Sequence, residues 1–288
     1  MKIGILITAY KDFNHLARLI NNLSCPDFRF YIHIDKKSNY EISKIQAKIN
    51  NSERCIFVED RININWGGFN LIYAVLNLIR EAIIDHSEYL LLISGQDFPL
   101  KNNSEILSFF KNNQGNEYLE FFEMPDSTKW ALEGGMDRYK YYWLVDDIGL
   151  QSSIKFVERQ RLDRISRQFP ANLKPFGGSL WFSLSFECAF YVYDYLLKNP
   201  ELVNFFYHTL LPDEMLIPTI VLNSHFKNKV INNNLRYIDW KTGPETPRTL
   251  TINDLNTLIS SASHFARKFD SSRDNLVIEE LEKHLRSR

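Results

Sequence analysis

The chain opens on a short apolar run, Ile3–Ala9, that stops at Tyr10 and is far too short to cross a bilayer. A run of that length without polar alternation is what a strand shows when both of its faces are covered. It is followed by Leu16, Leu19, Ile20 and Leu23 at helical spacing, then by a second apolar strand, Phe28–Ile34. A polar stretch of helical character leads to a short strand at residues 55–58. Leu71, Ala74, Val75, Leu78, Ile79 and Ala82 then predict a strong amphipathic helix, and residues 89–93 a further buried strand. Strand alternating with helix predicts an α/β fold around a mostly parallel sheet, with helices on both faces. Ligands of such sheets bind outside the carboxyl ends of the strands, so polar residues there are the first candidates for function.

The second half is less regular. Residues 117–122 read as a strand, 139–145 as an aromatic segment that either pairs or wanders, 174–178 as a Pro/Gly loop and 179–184 as a strand. Pro212 opens a helix running to about Leu222, with proline near the start where its missing N–H costs little. Residues 235–238 predict a last strand, and 252–262 and 276–285 two helices. No repeat or linker marks a boundary, so the 288 residues read as one domain. Lys and Arg number 34 against 35 Asp and Glu, which leaves no basic field to hold nucleic acid. Cys25, Cys55 and Cys188 lie too far apart in sequence for a zinc motif, and an odd, sparse set suggests a reducing compartment. These features predict a cytoplasmic protein, and docking on the inner face of a membrane is compatible with them.

Several familiar motifs are absent: no G-x-G-x-x-G, no G-x-x-x-x-G-K-[ST], no G-x-S-x-G, no H-E-x-x-H, and no Asp-x-Asp of the kind that holds a divalent metal on a sugar nucleotide. The first strand ends instead in Thr8-Ala9-Tyr10. Asp35 ends the second, where a carboxylate can accept from a ribose or base, although an aspartate there more commonly opens a turn. His33, inside that strand, reads as a satisfied core histidine. Trp66-Gly67-Gly68 before the strongest helix is a tight turn with an exposed aromatic face, or a close approach to a ligand. Ser94-Gly95-Gln96-Asp97 sits at the sheet's ligand edge. Glu214, beside Asp213, is in a helix's first turn, where an acid commonly does no more than complement the dipole. Arg248 and the pair Arg267-Lys268 are loop cations. Singly, none of these identifies a function.

Taken in order they do. Phe30-Tyr31-Ile32-His33-Ile34-Asp35-Lys36-Lys37-Ser38, Trp66-Gly67-Gly68, Leu92-Ile93-Ser94-Gly95-Gln96-Asp97-Phe98-Pro99-Leu100, Gly178-Ser179-Leu180-Trp181-Phe182-Ser183-Leu184, Pro212-Asp213-Glu214 and Phe265-Ala266-Arg267-Lys268-Phe269-Asp270 form a series that resembles glycosyltransferase family 14. That family holds the core-2/I-branching β-1,6-N-acetylglucosaminyltransferases and the peptide O-xylosyltransferases. The resemblance implies a GT-A fold, with residues 1–115 binding the nucleotide-sugar and 116–288 the acceptor. It also implies an inverting transfer from a UDP-sugar, carrying N-acetylglucosamine or xylose, to a hydroxyl of a glycan or glycolipid, without a metal or other cofactor.

By position in the family's motifs, Glu214 resembles the general base, and Arg248 and Lys268 the two cations that take a metal's place on the leaving diphosphate. Asp35 resembles the uridine contact. Thr8, Tyr10, Trp66, Gly67, Ser94, Gln96 and Asp97 fall in the nucleotide-sugar blocks, while Glu120, Trp181 and Trp240 resemble acceptor contacts. The chain lacks the anchor, stem and disulfides of animal members, and so resembles a compact bacterial form acting in surface-glycan synthesis. Two alternatives remain at this level: a sugar-binding protein without turnover, and a glycoside hydrolase using a carboxylate pair such as Asp97 and Glu214.

Overall fold

The computed structural model describes residues 1–241 and 246–287. Its strands are β1 (Ile3–Ala9), β2 (Phe28–Ile34), β3 (Cys55–Phe57), β4 (Tyr89–Ser94), β5 (Asp97–Pro99), β6 (Glu117–Glu123), β7 (Phe176–Ser185), β8 (Val230–Asn232), β9 (Arg236–Ile238) and β10 (Phe265–Arg267). Seven of them form one sheet in the order β3-β2-β1-β4-β7-β6-β8. Strands β1 to β4 pair in parallel, β7 runs antiparallel to both β4 and β6, and β8 is again parallel to β6. The mostly parallel α/β sheet expected of a GT-A glycosyltransferase is therefore observed.

The apolar runs are continuous because both faces are buried. On one face Ile3, Ile5 and Ile7 of β1 join Tyr89, Leu91 and Ile93 of β4, covered by the helices Phe13–Leu23 and Leu276–Arg286. On the other, Leu6, Leu90 and Leu92 meet the helices Asn70–Ile84, Phe186–Lys198 and Leu216–Leu222. The predicted helix at 276–285 thus returns to the first helix of the chain, with Arg18 Nε 2.9 Å from Glu282 Oε1. His33 is a core histidine but only half satisfied: its Nε2 accepts from the Ile62 N–H at 2.8 Å while its buried Nδ1 has no partner among the described residues, and burial pushes its pKa down to about 4.

Three sequence expectations change. Residues 174–178 are not wholly a loop, since β7 begins at Phe176 and pairs Gly177 and Gly178 with Phe122 and Phe121. The aromatic segment 139–145 neither pairs nor wanders freely: it lies between the short helices Asp137–Lys140 and Val145–Ile148 and packs Tyr141 and Trp143 against the helix Leu150–Leu162. The helix expected from Pro212 is interrupted. Pro212–Glu214 is a single 3-10 turn, and Met215, at φ −125°, separates it from the helix Leu216–Leu222.

A second, three-stranded sheet, β5-β10-β9, stands at the carboxyl end of β4; β9 is the last strand expected at 235–238, whereas β5 and β10 have no signal in the sequence periodicity. Its strands are three residues each, too short to show alternation. Arg236 of β9, fully buried, fastens it to the main sheet by donating to the Leu92 carbonyl at 2.7 Å and to Ser183 Oγ at 3.3 Å.

Where β6 faces β7 the register slips between Leu119, opposite Phe182, and Phe121, opposite Gly178, so that residues 179–181 of β7 stand against Glu120 alone and the extra residues bulge from β7. Gly178 makes this possible: a Cβ there would lie 2.0 Å from the Glu120 carbonyl oxygen, and both atoms are fixed by backbone. Gly178→Ala is expected to cost about 2 kcal/mol or more of stability, as overpacking against a rigid backbone does. Thermal unfolding checks this; an unchanged midpoint rejects the close approach.

Candidate active site

The carboxyl ends of β1, β2 and β4 come together first. The Asp35 N–H donates to the Ala9 carbonyl at 2.8 Å, and Ser38 Oγ donates to the Tyr10 carbonyl at 2.7 Å. Asp35 is buried and opens a turn, its Oδ1 accepting from the Lys37 N–H at 2.8 Å. Half-buried Thr8 ends β1 beside Ser94, and its carbonyl accepts the Gly95 N–H at 2.9 Å. Tyr10 is exposed and gives its hydroxyl to Gln96 Oε1 at 3.1 Å. Trp66 is exposed as well. Gly67 behind it, at φ +82°, accepts from the Leu211 N–H at 3.0 Å and so ties this turn to the loop bearing Glu214.

Asp97 is not at the surface of the site. It has no exposed area, receives Ser94 Oγ at 2.7 Å and the Ser94 N–H at 3.2 Å, and lies 3.7 Å from Arg267 Nη1. Asp97, expected among the nucleotide-sugar residues, is thus placed beneath the surface of the site, against Ser94 and Arg267. Ser94 and Gln96 are buried too and serve this internal network. Arg267 lays its guanidinium over the Trp181 ring, 4.1 Å from the centroid. Trp181, half-buried, supports that arginine from β7.

Glu214 sits on the turn that follows Leu211. Leu211 is held at φ +48°, a left-handed conformation that costs a leucine on the order of 1–3 kcal/mol and is found where surrounding structure enforces it. Glu214 does not cap a helix. Its Oε2 accepts from Arg138 Nη1 at 2.6 Å, and Arg138 in turn lies flat on Trp130, 3.4 Å from the ring centroid. The simple dipole-complementing use of this acid is therefore not what the fold makes of it. Asp213 beside it is buried and its pKa is pushed up to about 7, by desolvation and then by the charge of Glu214. Glu120 stands on the open side of β6, accepting from Asn234 Nδ2 at 2.7 Å. Its carboxyl is also raised, by desolvation first and by Glu214, with Lys129 opposing.

The third group surrounds Lys268, which is half-buried. A cleft of about 400 Å³ is lined by Lys11, Arg248, Lys268, Arg273 and Asp270 together with residues 246, 247 and 249. The Lys268 ammonium is pushed below its ordinary pKa by burial and by the cations around it, Lys11 foremost. Arg248 reaches the same cleft, but its guanidinium is gripped by Asp239 Oδ2 at 2.8 Å and Asp254 Oδ1 at 2.6 Å. It braces the turn that presents Trp240, which is exposed.

Contacts run stepwise from Glu120 toward Lys268: Asn234 binds Glu120 and approaches Ser179 Oγ at 3.4 Å, Ser179 and Trp181 share β7, and Trp181 carries Arg267, which Lys268 follows in the chain. Arg138, Asn234, Arg236, Lys11 and Arg273 went unseen in the sequence. Lys11 alone had a signal, since it follows the end of the first strand. The others are joined to the site by contacts between residues far apart in the chain.

Among the described residues no three His, Cys, Asp or Glu side chains gather as a metal site, and no helix is long and apolar enough to cross a membrane. The chain is similar to Xylosyltransferase 2 of Rattus norvegicus, 25% identical over 308 aligned positions that cover 98% of this chain and 33% of the relative. It is similar also to Xylosyltransferase oxt of Drosophila melanogaster, 24% identical over 254 positions covering 84% of this chain and 26% of that one. The chain thus spans about a third or less of the length of these relatives. A solved structure, mouse Xyloside xylosyltransferase 1 in its apo form, aligns over 92% of this chain and 97% of its own with 11% identity and a TM-score of 0.38, a likeness that carries no argument by itself. Residues 3–259 match the model of the Core-2/I-Branching enzyme family, most of the chain's length, and the chain belongs to that family.

Proposed function

We propose that the protein is an inverting glycosyltransferase that moves a sugar from a UDP-sugar to a hydroxyl of a glycan or glycolipid, with no metal ion in the reaction. The observation that carries this reading is the pair of charged side chains it sets apart: a Glu214 carboxylate oriented by Arg138, and a Lys268 ammonium in a cleft that, among the described residues, has no ion-pair partner. The donor sugar is xylose or N-acetylglucosamine, and the xylosyltransferase relatives support xylose.

The acceptor hydroxyl loses its proton as it attacks the anomeric carbon, and Glu214 takes that proton. Arg138 occupies Oε2, which leaves Oε1 for the incoming hydroxyl. Such a base contributes about 10²–10⁴-fold. One displacement inverts the anomeric centre, so no second nucleophilic carboxylate is needed. Charge then grows on the departing diphosphate, and the Lys268 ammonium meets it where it grows, a form of electrostatic stabilisation that needs no reorganisation. Asp35, Tyr10 and Trp66 lie on the nucleotide side; Glu120 and exposed Trp240 lie on the acceptor side.

Two outcomes test this. Glu214→Gln is expected to keep the fold and UDP binding, seen as an undiminished thermal shift with UDP, while transfer falls at least about a hundredfold. Retained turnover removes Glu214 from the role. Lys268→Ala should lower kcat by about 10²–10³, the usual cost of losing one preorganised donor, and EDTA should leave the unmodified enzyme's activity unchanged. A strict requirement for Mn²⁺ overturns the lysine-for-metal reading.

A further inference from the structure

The turn that carries Asp35 is held from two sides. On the β1 side, the Asp35 N–H donates to the Ala9 carbonyl at 2.8 Å and Ser38 Oγ to the Tyr10 carbonyl at 2.7 Å. Within the turn, the Lys37 N–H donates to Asp35 Oδ1 at 2.8 Å, and the Ser38 N–H to the Asp35 carbonyl at 2.9 Å. On the other side stands Arg61, half-buried in the stretch between β3 and the helix Asn70–Ile84. Its Nε donates to the Ile34 carbonyl at 3.0 Å, and its Nη2 to the carbonyls of Asp35 and Ser38, each at 2.7 Å. One guanidinium thus spans the turn from its entry to its exit. The neighbouring Ile62 repeats the attachment with its backbone, donating to His33 Nε2 at 2.8 Å and accepting from the Lys36 N–H at 3.0 Å. All the side-chain hydrogen bonds that Arg61 donates within the described residues end on this one turn.

We infer that Arg61 is a positioning residue for nucleoside recognition: it holds the Asp35 turn in the shape that presents the carboxylate, and it touches no substrate itself. This rests on the proposed use of a UDP-sugar, with Asp35 on the nucleotide side. Asp35 Oδ1 is taken by the Lys37 N–H, so Oδ2 is the freer oxygen for a ribose hydroxyl or a base N–H. Three carbonyl oxygens brought to one place repel one another, and a cation set among them removes that repulsion. A planar guanidinium meets all three from two nitrogens at fixed angles, whereas a lysine ammonium is a point charge on a flexible stem. A carboxylate fixed before the ligand arrives spares the ordering that a mobile turn would need on binding, and the affinity gained is the cost avoided.

The experiment is calorimetric titration of the full chain with UDP and with pyrophosphate, for the wild type, Arg61→Ala, Arg61→Lys, Asp35→Ala and the Arg61→Ala/Asp35→Ala double variant. The ratio of the two affinities isolates the nucleoside contacts, and pyrophosphate binding reports that each variant is folded. Arg61→Ala is expected to lower the UDP-to-pyrophosphate ratio about tenfold with pyrophosphate binding unchanged, and Arg61→Lys to recover part of that loss. In the Asp35→Ala background, Arg61→Ala should change the ratio less than about twofold, because no carboxylate remains to be positioned. A ratio that Arg61→Ala leaves unchanged overturns the assignment. So do losses that multiply in the double variant, or a loss of pyrophosphate binding in step with that of UDP, either of which makes Arg61 a general support of the fold. A wild type that binds UDP no better than pyrophosphate is a different failure: it removes the UDP-sugar reading on which the assignment rests.

Discussion

Asp97 has no exposed surface and lies 3.7 Å from the Arg267 guanidinium. Its position is dictated by Ser94, whose hydroxyl and N–H both turn onto it at the end of β4. A buried carboxylate of this kind is tolerated only when it is paired, and removing one partner of a buried pair typically costs about 3–5 kcal/mol. The pair is what joins the last main-sheet strand before the site to β10, where Arg267 lies opposite Asp97 in the register. Once Arg267 is fixed over Trp181, the next residue, Lys268, is delivered to the cleft. The residue that resembled a ligand contact therefore acts below the site, as its foundation.

The two charged side chains are held by different means. At the Lys268 end, burial and crowding of like charges depress the pKa of an ammonium and create a demand for an anion. At the Glu214 end, a leucine in a left-handed conformation and a glycine-bearing turn set the loop, and Arg138 sets the carboxylate. The surrounding carboxyls, Asp213 and Glu120, are raised by burial and by Glu214 itself.

Much of the scaffold was legible from the apolar runs, because strands such as β1 and β4 are buried on both faces and the sequence must say so at every position. Of the small sheet β5-β10-β9 only β9 was, as the strand at 235–238, since three-residue strands such as β5 and β10 carry no period. Pro212-Asp213-Glu214 read as an ordinary helix start; what changes its meaning is the break at Met215 and the pairing with Arg138, a residue 76 positions away. The same limit applied to Arg248, whose pairing with Asp239 and Asp254 is brought about only by folding. The order of motifs carried the family where single residues could not, and residues 3–259 match its model.

The most direct measurement is an experimental structure of the protein with UDP bound. The account predicts a diphosphate oxygen within hydrogen-bonding distance of Lys268 Nζ, uracil toward Asp35, and the open face of the β-phosphate directed toward Glu214. A nucleotide seated elsewhere, or a diphosphate held by a divalent ion away from Lys268, contradicts it.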